Sequence, residues 1–371
     1  IGYQIIFLFW LGALIWIQKK MKFTGIMKSK FDFNNTKIDW EKVDRVIDGS
    51  NKILLTTHEN PDGDGLGSQC GIYYHLIEYG KDVRIINYSK ISEEYSFMNH
   101  DNIFEQYDSE KHDEWIKSID LVIIFDVGDY KRIRTLCDAV SKYNLKIMNI
   151  DHHPHPVEHN FDYNIIDLKA AATGSMVYDY LKFKRKKTLP KKSLTGIYTA
   201  VMTDTGCFRH SNTDIKSHKI AIECLDIGVE TNLIYQHIYE NSSKARVKLM
   251  GLVLSNIKYE FDGNFAWFTV SKKMMSQANA VKSDVEGFSD MVRSIKGVEV
   301  ALMIAEQSKQ ECRINFRSKG KLKINHIAES FGGGGHAYAS GAKLNGTIGE
   351  LREKIVKQTM KFLKPEIEKI S

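Results

Sequence analysis

Three short runs of mostly apolar residues set the frame of this chain: Ile53-Leu54-Leu55-Thr56-Thr57, Leu121-Val122-Ile123-Ile124-Phe125 and Lys146-Ile147-Met148-Asn149-Ile150. Each is too short for a globular helix and has the aliphatic, β-branched content of a buried strand. Helical spacing separates them. Asp39 to Asp48 reads as a short amphipathic helix, Cys70, Ile72, Tyr73, Leu76 and Ile77 mark a second, and the stretches Tyr130 to Lys142 and Thr173 to Phe183 read as two more, with a further strand at Asp82 to Tyr88. Alternation of buried strands with helices predicts a mostly parallel sheet with helices on both faces, an α/β fold.

Beyond these, a helix from about Ser193 runs into Met202-Thr203-Asp204-Thr205-Gly206, and Thr213 to Asp226 reads as another. Glu230 to Ile257 has the spacing of one long helix without proline and suits a connector between domains. Asn264 to Ser271, Val298 to Ala305 and Arg313 to Arg317 read as strands, followed by a helix over Ile324 to Phe331, a strand-like stretch and a last helix from Ile348. The expected organisation is an apolar extension over 1–34, an α/β domain over 35–228, a helical linker over 229–256, and a smaller α/β domain over 257–371 that faces the first across a cleft.

At 371 residues and 43% hydrophobic content, the chain can bury two cores. A formal charge of +6 suits an anionic substrate and equally suits a protein with no nucleic-acid partner. Five scattered cysteines without a Cys-x-x-Cys pair exclude a disulfide framework and a zinc ribbon and point to a reduced, cytoplasmic setting. The apolar run over residues 5–17 conflicts with that setting. It falls short of the roughly 20 residues of a spanning helix and lacks the flanks of a secretory signal. We read it as an upstream extension outside the working protein, with Met21 or Met27 as a start; a membrane anchor and a processed leader are the alternatives. The charged stretch Lys182 to Lys192 reads as a solvated loop.

The chemistry gathers where the strands end. After the first comes His58-Glu59-Asn60-Pro61-Asp62-Gly63-Asp64-Gly65, an imidazole with two carboxylates on a turn built on Pro61, Gly63 and Gly65. Asp62 and Asp64 so close together repel unless a cation lies between them, although Pro, Asp and Gly also make ordinary turns. The next strand delivers Asp126, and the third delivers Asp151-His152-His153. With Asp204, the set His58, Asp62, Asp64, Asp126, His152 and Asp204 holds two imidazoles and four carboxylates. One ion cannot use six ligands and stay open to substrate. Two ions roughly 4 Å apart, sharing a bridging carboxylate, can, and that arrangement clamps the oxygens of phosphoryl transfer. An oxygen-rich ligand set with some imidazole suits Mn²⁺, with Mg²⁺ or Co²⁺ possible, and excludes a structural zinc site.

The motifs HxxxDxD at His58, Asp126 at a strand end, Asp-His-His at Asp151, Asp-Thr-Gly at Asp204 and the later Gly-Gly-Gly-Gly-His, in this order, resemble the DHH phosphoesterase family with its DHH-associated C-terminal domain. The resemblance runs from about Asn35 to the C-terminus and is strongest to the compact NrnA-type enzymes, which degrade very short oligoribonucleotides and dephosphorylate 3′-phosphoadenosine 5′-phosphate. It implies that His58 and Asp62 hold one metal, that Asp64, His152 and Asp204 hold the other, and that Asp126 bridges them. Asp151 would then orient an imidazole behind the ligands, and His153 would contact the phosphate or protonate the leaving oxygen. His155, His159 and His210 read as surface or loop histidines, and Cys207 as a packing residue.

In the second domain, Gly332 to Gly335 would let backbone N–H groups approach an anion, although such a run by itself is usually a flexible turn. Arg317 offers a planar fork for phosphate. With the resemblance, Arg317, Ser318, Gly333, Gly334, Gly335 and His336 become the expected substrate-binding set; Tyr338 and Ser340 depart from the usual pattern after the histidine. The implied partners are short single-stranded RNA or nucleotides. No stable protein partner is implied; a homodimer is compatible, and a membrane enters only if residues 5–17 are an anchor. The rival readings are a RecJ-like exonuclease on longer strands and a nucleotide-binding regulatory module without turnover.

Overall fold

The structure is a computed structural model that describes residues 38–154, 161–185 and 187–369. The chain divides into two compact units between Ile238 and Tyr239. Residues 5–17, His155 and His159 lie outside the described residues. Among the described residues no helix is long and apolar enough to cross a membrane.

The first unit runs α1 (Trp40–Asp48), β1 (Lys52–Thr57), α2 (Gly63–Glu78), β2 (Asp82–Asn87), β3 (Phe104–Gln106), α3 (Ser109–Ile116), β4 (Leu121–Phe125), α4 (Leu136–Lys142), β5 (Ile147–Asp151), β6 (Tyr163–Ile166), α5 (Thr173–Lys184), α6 (Lys191–Asp204), α7 (Ile215–Asp226) and α8 (Thr231–Tyr239). The strands form one sheet in the order β3-β2-β1-β4-β5-β6, and every pair in it is parallel. The three strands expected from their apolar runs are buried along nearly their whole length, as a sheet covered on both faces requires. Strand order reverses between β1 and β4, which are neighbours in register from Ile53–Leu121 to Thr57–Phe125. In an open parallel sheet, ligand crevices form outside the strand ends at such a reversal. His58 follows β1 and Asp126 follows β4, so this topology brings them together.

Glycines in the first motif do more than make a turn. Asp62 caps α2, its Oδ1 accepting from the N–H groups of Asp64 (3.0 Å) and Gly65 (3.2 Å), so Asp64 is already helical rather than on a loop. A Cβ on Gly67 would strike the carbonyl oxygen of Gly196, and one on Gly196 would meet the Gly67 carbonyl oxygen at 2.7 Å. Helices α2 and α6 therefore cross backbone to backbone, and this fixes Asp64 and Asp204 on facing elements.

Two expectations are corrected in this unit. Tyr130 to Lys142 is a 3₁₀ turn over Tyr130–Ile133 and then α4, broken at Arg134, whose φ is 56°. Strands β3 and β6 were not foreseen; three and four residues long, at the two edges of the sheet, they are too short to display a period.

The segment expected as one long helix is two, α8 and then α9 (Lys244–Leu254), with Ser243 capping the second by accepting from the N–H of Arg246 at 2.9 Å. The serine side chain satisfies an end that continuous helix would have satisfied with backbone, and the division between units falls beside this break. The second unit continues with β7 (Lys258–Glu260), β8 (Phe265–Val270), α10 (Lys272–Ala278), α11 (Phe288–Arg293), β9 (Val300–Ser308), β10 (Glu311–Ser318), α12 (Asn325–Glu329), β11 (Gly334–His336), β12 (Ala339–Asn345) and α13 (Ile348–Ile367). Its sheet has the order β11-β12-β10-β9-β8-β7. All pairs are antiparallel except β8 with β9. One face buries Phe265, Leu302, Ile314 and Phe316 with residues of α12 and α13, and the other buries Phe268, Val270 and Met303 with residues of α9, α10 and α11.

Candidate metal centre

Asp126 stands where the parallel sheet parts, with φ at 55°, a left-handed backbone that costs a residue with a Cβ on the order of 1 kcal/mol. That bend turns its carboxylate between two groups of side chains. His58 Nε2 lies 3.5 Å from Asp126 Oδ2 and 3.7 Å from Asp62 Oδ2. On the other side His152 Nε2 lies 3.6 Å from Asp64 Oδ2, 3.7 Å from Asp126 Oδ1 and 3.8 Å from Asp204 Oδ2. His58, Asp62 and Asp126 each offer one ligand atom to a common centre, as do Asp64, His152 and Asp204. All six residues expected from the sequence come together, and Asp126 presents one oxygen to each imidazole.

Both rings are held in one tautomer. His58 Nδ1 lies 2.8 Å from the carbonyl oxygen of Glu59, and His152 Nδ1 lies 3.1 Å from that of Ala170. A carbonyl only accepts, so each Nδ1 carries a proton and each Nε2 is the atom turned towards the carboxylates, able to give its lone pair to a cation once it holds no proton. His152 Nε2 is buried and has no hydrogen-bond partner. Its distances to three carboxylate oxygens are too long for hydrogen bonds and suit fellow ligands of a single cation. A buried nitrogen left in this way costs roughly 1–3 kcal/mol unless something else fills the role.

The electrostatics point the same way. Burial pushes the carboxyl of Asp64 up, and the neighbouring carboxylates of Asp126, Asp204 and Asp62 push it further. Asp204 is raised to about 6, first by burial; nearby His152 opposes the shift and Asp126 adds to it. Burial opposes charge on His58, yet the carboxylates of Asp126 and Asp62 outweigh it and hold the imidazole up to about 9. The cluster draws positive charge, and divalent cations would supply it at the imidazole and carboxylate positions together.

His153 is not in either triad. Its Nδ1 lies 2.9 Å from Asp151 Oδ1 and 3.2 Å from Asp126 Oδ1, and hydrogen bonds to Asp126 and Asp151 raise its pKa to about 11. Buried Asp151 also accepts from the N–H groups of His152 (2.7 Å) and His153 (3.2 Å) through the same oxygen. The imidazole it touches is therefore that of His153, while the backbone carbonyl of Ala170 orients His152. Exposed His210 lies outside the triads.

Sequence reading missed the groups that hold the carboxylates. At the start of α5 the N–H of Thr173 donates to Asp64 Oδ2 at 2.7 Å and that of Gly174 to Oδ1 at 2.8 Å, a helix N-terminus aimed at an anion. A Cβ on Gly174 would collide with Ala200, which explains the glycine. Asn212 Nδ2 donates to Asp204 Oδ2 at 3.1 Å and to the Ala171 carbonyl at 2.9 Å. The only sequence cue was the small-residue stretch Ala170-Ala171-Ala172-Thr173-Gly174, which periodicity absorbs into the helix after it.

In the second unit, Arg317 is half-buried on one face of β10, its Nε 3.3 Å from Asp290 Oδ2 and its Nη1 donating to the Phe316 carbonyl. Ser318, expected to bind substrate beside it, is buried, and its hydroxyl donates to Glu299 at 3.0 Å. Consecutive strand residues face opposite ways, so both cannot serve one surface. The expected glycine loop is partly strand: β11 pairs with β12 from Gly334–Gly341 to His336–Ala339. Gly333 and Gly335 are required by that approach, since a Cβ on Gly333 would strike Gly341, and one on Gly335 would meet the Ala339 carbonyl oxygen at 2.7 Å. Gly334 has open space at its Cβ position, and His336 is exposed.

Comparison with known proteins matches residues 52–201 to the DHH family N-terminal domain and residues 264–364 to the DHHA1 domain. The chain is 29% identical over 302 residues to the bifunctional oligoribonuclease and PAP phosphatase NrnA of Bacillus subtilis, covering 81% of this chain and 91% of that protein. It is 27% identical over 321 residues to the protein of the same name from Thermus thermophilus, covering 83% of this chain and 90% of that protein. The crystal structure of an exopolyphosphatase-related protein from Bacteroides fragilis superposes with a TM-score of 0.84 at 30% identity, covering 90% of this chain and 99% of that one.

Proposed function

The chain belongs to the DHH family, and we propose that it is a metal-dependent phosphoesterase that hydrolyses short oligoribonucleotides, linear dinucleotides included, to mononucleotides, and 3′-phosphoadenosine 5′-phosphate to AMP. The observation that carries this reading is Asp126, which offers one carboxylate oxygen to the His58 group and the other to the His152 group. The names of the relatives from Bacillus subtilis and Thermus thermophilus support the substrate class.

His58, Asp62 and Asp126 would hold one cation and Asp64, His152, Asp204 and Asp126 the other, Mn²⁺ in our reading with Mg²⁺ or Co²⁺ able to replace it; when bound, the pair makes hydroxide available near neutral pH and neutralises phosphoryl oxygens. Everything else is the work of the chain's own backbone and side-chain groups. The carbonyls of Glu59 and Ala170 lock the two imidazoles with Nε2 forward, so no reorganisation is needed when ligands bind. Thr173 and Gly174 fix both oxygens of Asp64. Asp126 and Asp151 together keep His153 protonated, where it meets a phosphate oxygen or delivers a proton to the leaving sugar oxygen. Solvent is the nucleophile, and no serine or cysteine is required; Cys207 is partly buried and packs against the core. Arg317 and His336 in the second unit supply substrate contacts.

A Mn²⁺-dependent activity panel on dinucleotides, longer single strands, 3′-phosphoadenosine 5′-phosphate and pyrophosphate tests the proposal. Dinucleotides and the bisphosphate should be hydrolysed fastest. Preference for long strands would assign a RecJ-like exonuclease instead, and metal binding without turnover on any substrate would assign a nucleotide-binding module.

A further inference from the structure

Three residues, Glu59, Asn60 and Pro61, separate His58 from Asp62, which share one centre with Asp126, and this span is gripped from the strands on both sides of β1. The N–H of Glu59 donates to the carbonyl oxygen of Arg132 at 2.8 Å, in the 3₁₀ turn beyond β4. Its carboxylate takes two arms of the Arg134 guanidinium, Nε at 2.6 Å from Oε2 and Nη2 on Oε1. Beyond β2, Ser89 Oγ accepts from the N–H of Asn60 at 3.0 Å. That N–H belongs to the same planar peptide as the Glu59 carbonyl, which accepts from His58 Nδ1. Ser89 and the turn through Arg132 and Arg134 therefore fix the group that orients the imidazole. Arg134 does this in a strained backbone: φ of 56° with ψ of −133° suits glycine and not a residue with a Cβ. Its ion pair with Glu59 is partly exposed, a kind that adds little to stability. Strain that so weak a pair does not offset points to placement rather than to folding, and what Arg134 places is Glu59.

We propose that Arg134 is a positioning residue for the cation centre of His58 and Asp62, acting through Glu59 to hold the carbonyl that orients the His58 ring. The inference rests on the metal centre proposed above and adds to it a residue 75 positions from Glu59 in the chain. The sign of its charge makes the role testable. A guanidinium near a cation site disfavours the cation by repulsion, so on charge alone its removal should tighten binding. A loss of affinity reports position instead.

The test is calorimetric titration of the full metal-free chain with Mn²⁺, in which the event lost in His58→Ala identifies the His58 centre. Arg134→Gly relieves the strained φ and removes the fork. It should weaken that event by about tenfold to a hundredfold, the usual effect of losing a partner behind a ligand, and leave the other event unchanged. Its urea midpoint without metal should be no lower than that of the wild type. Glu59→Gln should weaken the same event, and the double variant should lose no more than the larger single loss, because both changes break one contact. In the metal-free protein the Nδ1–H resonance of His58, identified by its absence in His58→Gln, should be lost to exchange with water in Arg134→Gly. Unchanged or tighter Mn²⁺ binding in Arg134→Gly would overturn the proposal, as would additive losses in the double variant, equal loss at both events, or a lowered urea midpoint. A wild type that binds no Mn²⁺, with the resonance lost in Arg134→Gly, removes the metal centre and leaves the placement of His58. Normal Mn²⁺ binding in Arg134→Gly with the resonance retained removes the placement and leaves the metal centre.

Discussion

Oδ1 of Asp151 lies 2.9 Å from Nδ1 of His153, and the same oxygen takes the N–H groups of His152 and His153, so one buried carboxylate fixes both the path of the chain and the charge of an imidazole. Asp151→Asn should preserve the backbone contacts in part, because an amide oxygen still accepts, while removing one of the two anions, Asp126 and Asp151, that keep His153 protonated. The expected result is an intact fold, near-normal metal content, and a kcat lower by about a hundredfold, the lower end of what a positioned proton donor contributes. A titration of the His153 ring by NMR should show its pKa fallen. An unchanged kcat would mean that His153 plays no part in the chemistry.

Asp126 shares its two oxygens between the two imidazole groups, so its loss should be felt at both. Asp126→Ala should abolish turnover and lower the occupancy of both cations, whereas His58→Ala should empty mainly one. Metal content per chain, measured by elemental analysis after dialysis, distinguishes these outcomes. Near-normal activity and metal content in Asp126→Ala would rule out the two-cation assignment.

Arg317 and Ser318 are adjacent in sequence and face opposite sides of β10, so they should fail differently. Arg317→Ala should lower kcat/KM on nucleotides by roughly tenfold to a hundredfold, the value of a charge-assisted phosphate contact, and spare an activated aryl phosphate ester. Ser318→Ala should leave KM alone. It strips a hydrogen bond from buried Glu299, which also accepts from the N–H groups of Lys321 and Leu322, and should cost about 1–3 kcal/mol of stability in urea unfolding. Equal loss on both substrate types in Arg317→Ala would assign that residue to the fold.

His75 provides a pH dependence away from the metal centre. Burial, reinforced by the charges of Arg185 and Lys184, lowers its pKa to about 4. In the unfolded chain it protonates near 6.5, so the folded state, which keeps it neutral, is favoured fully above that value, and this contribution is lost as the pH falls from about 6.5 towards 4. Between pH 7 and pH 5 the loss should reach about 2 kcal/mol. Urea unfolding at the two pH values should show His75→Gln losing correspondingly less than the wild type, and equal losses would contradict the burial of a neutral ring.

The sequence by itself determined the strands that deliver the chemistry and the residues at their tips, because buried parallel strands are apolar runs and a polar residue just beyond one is conspicuous. His58, Asp62, Asp64, Asp126, His152 and Asp204 were therefore legible before any fold was known. Tertiary structure alone decided that β1 and β4 lie side by side, that Asp126 bends back through a left-handed φ to face both imidazoles, that Thr173 and Gly174 grip Asp64 from a distant position in the chain, and that Asn212 folds back onto Asp204. These are contacts of backbone N–H groups and a single amide, which leave no periodic trace. Ser318 is the intermediate case: the alternation of a strand already placed it opposite Arg317, but only the buried carboxylate of Glu299 showed where its hydroxyl is used. The glycines followed the same division, since composition marks a flexible run, while the approach of Gly333 and Gly335 to β12 depends on a strand pairing that only the folded chain makes.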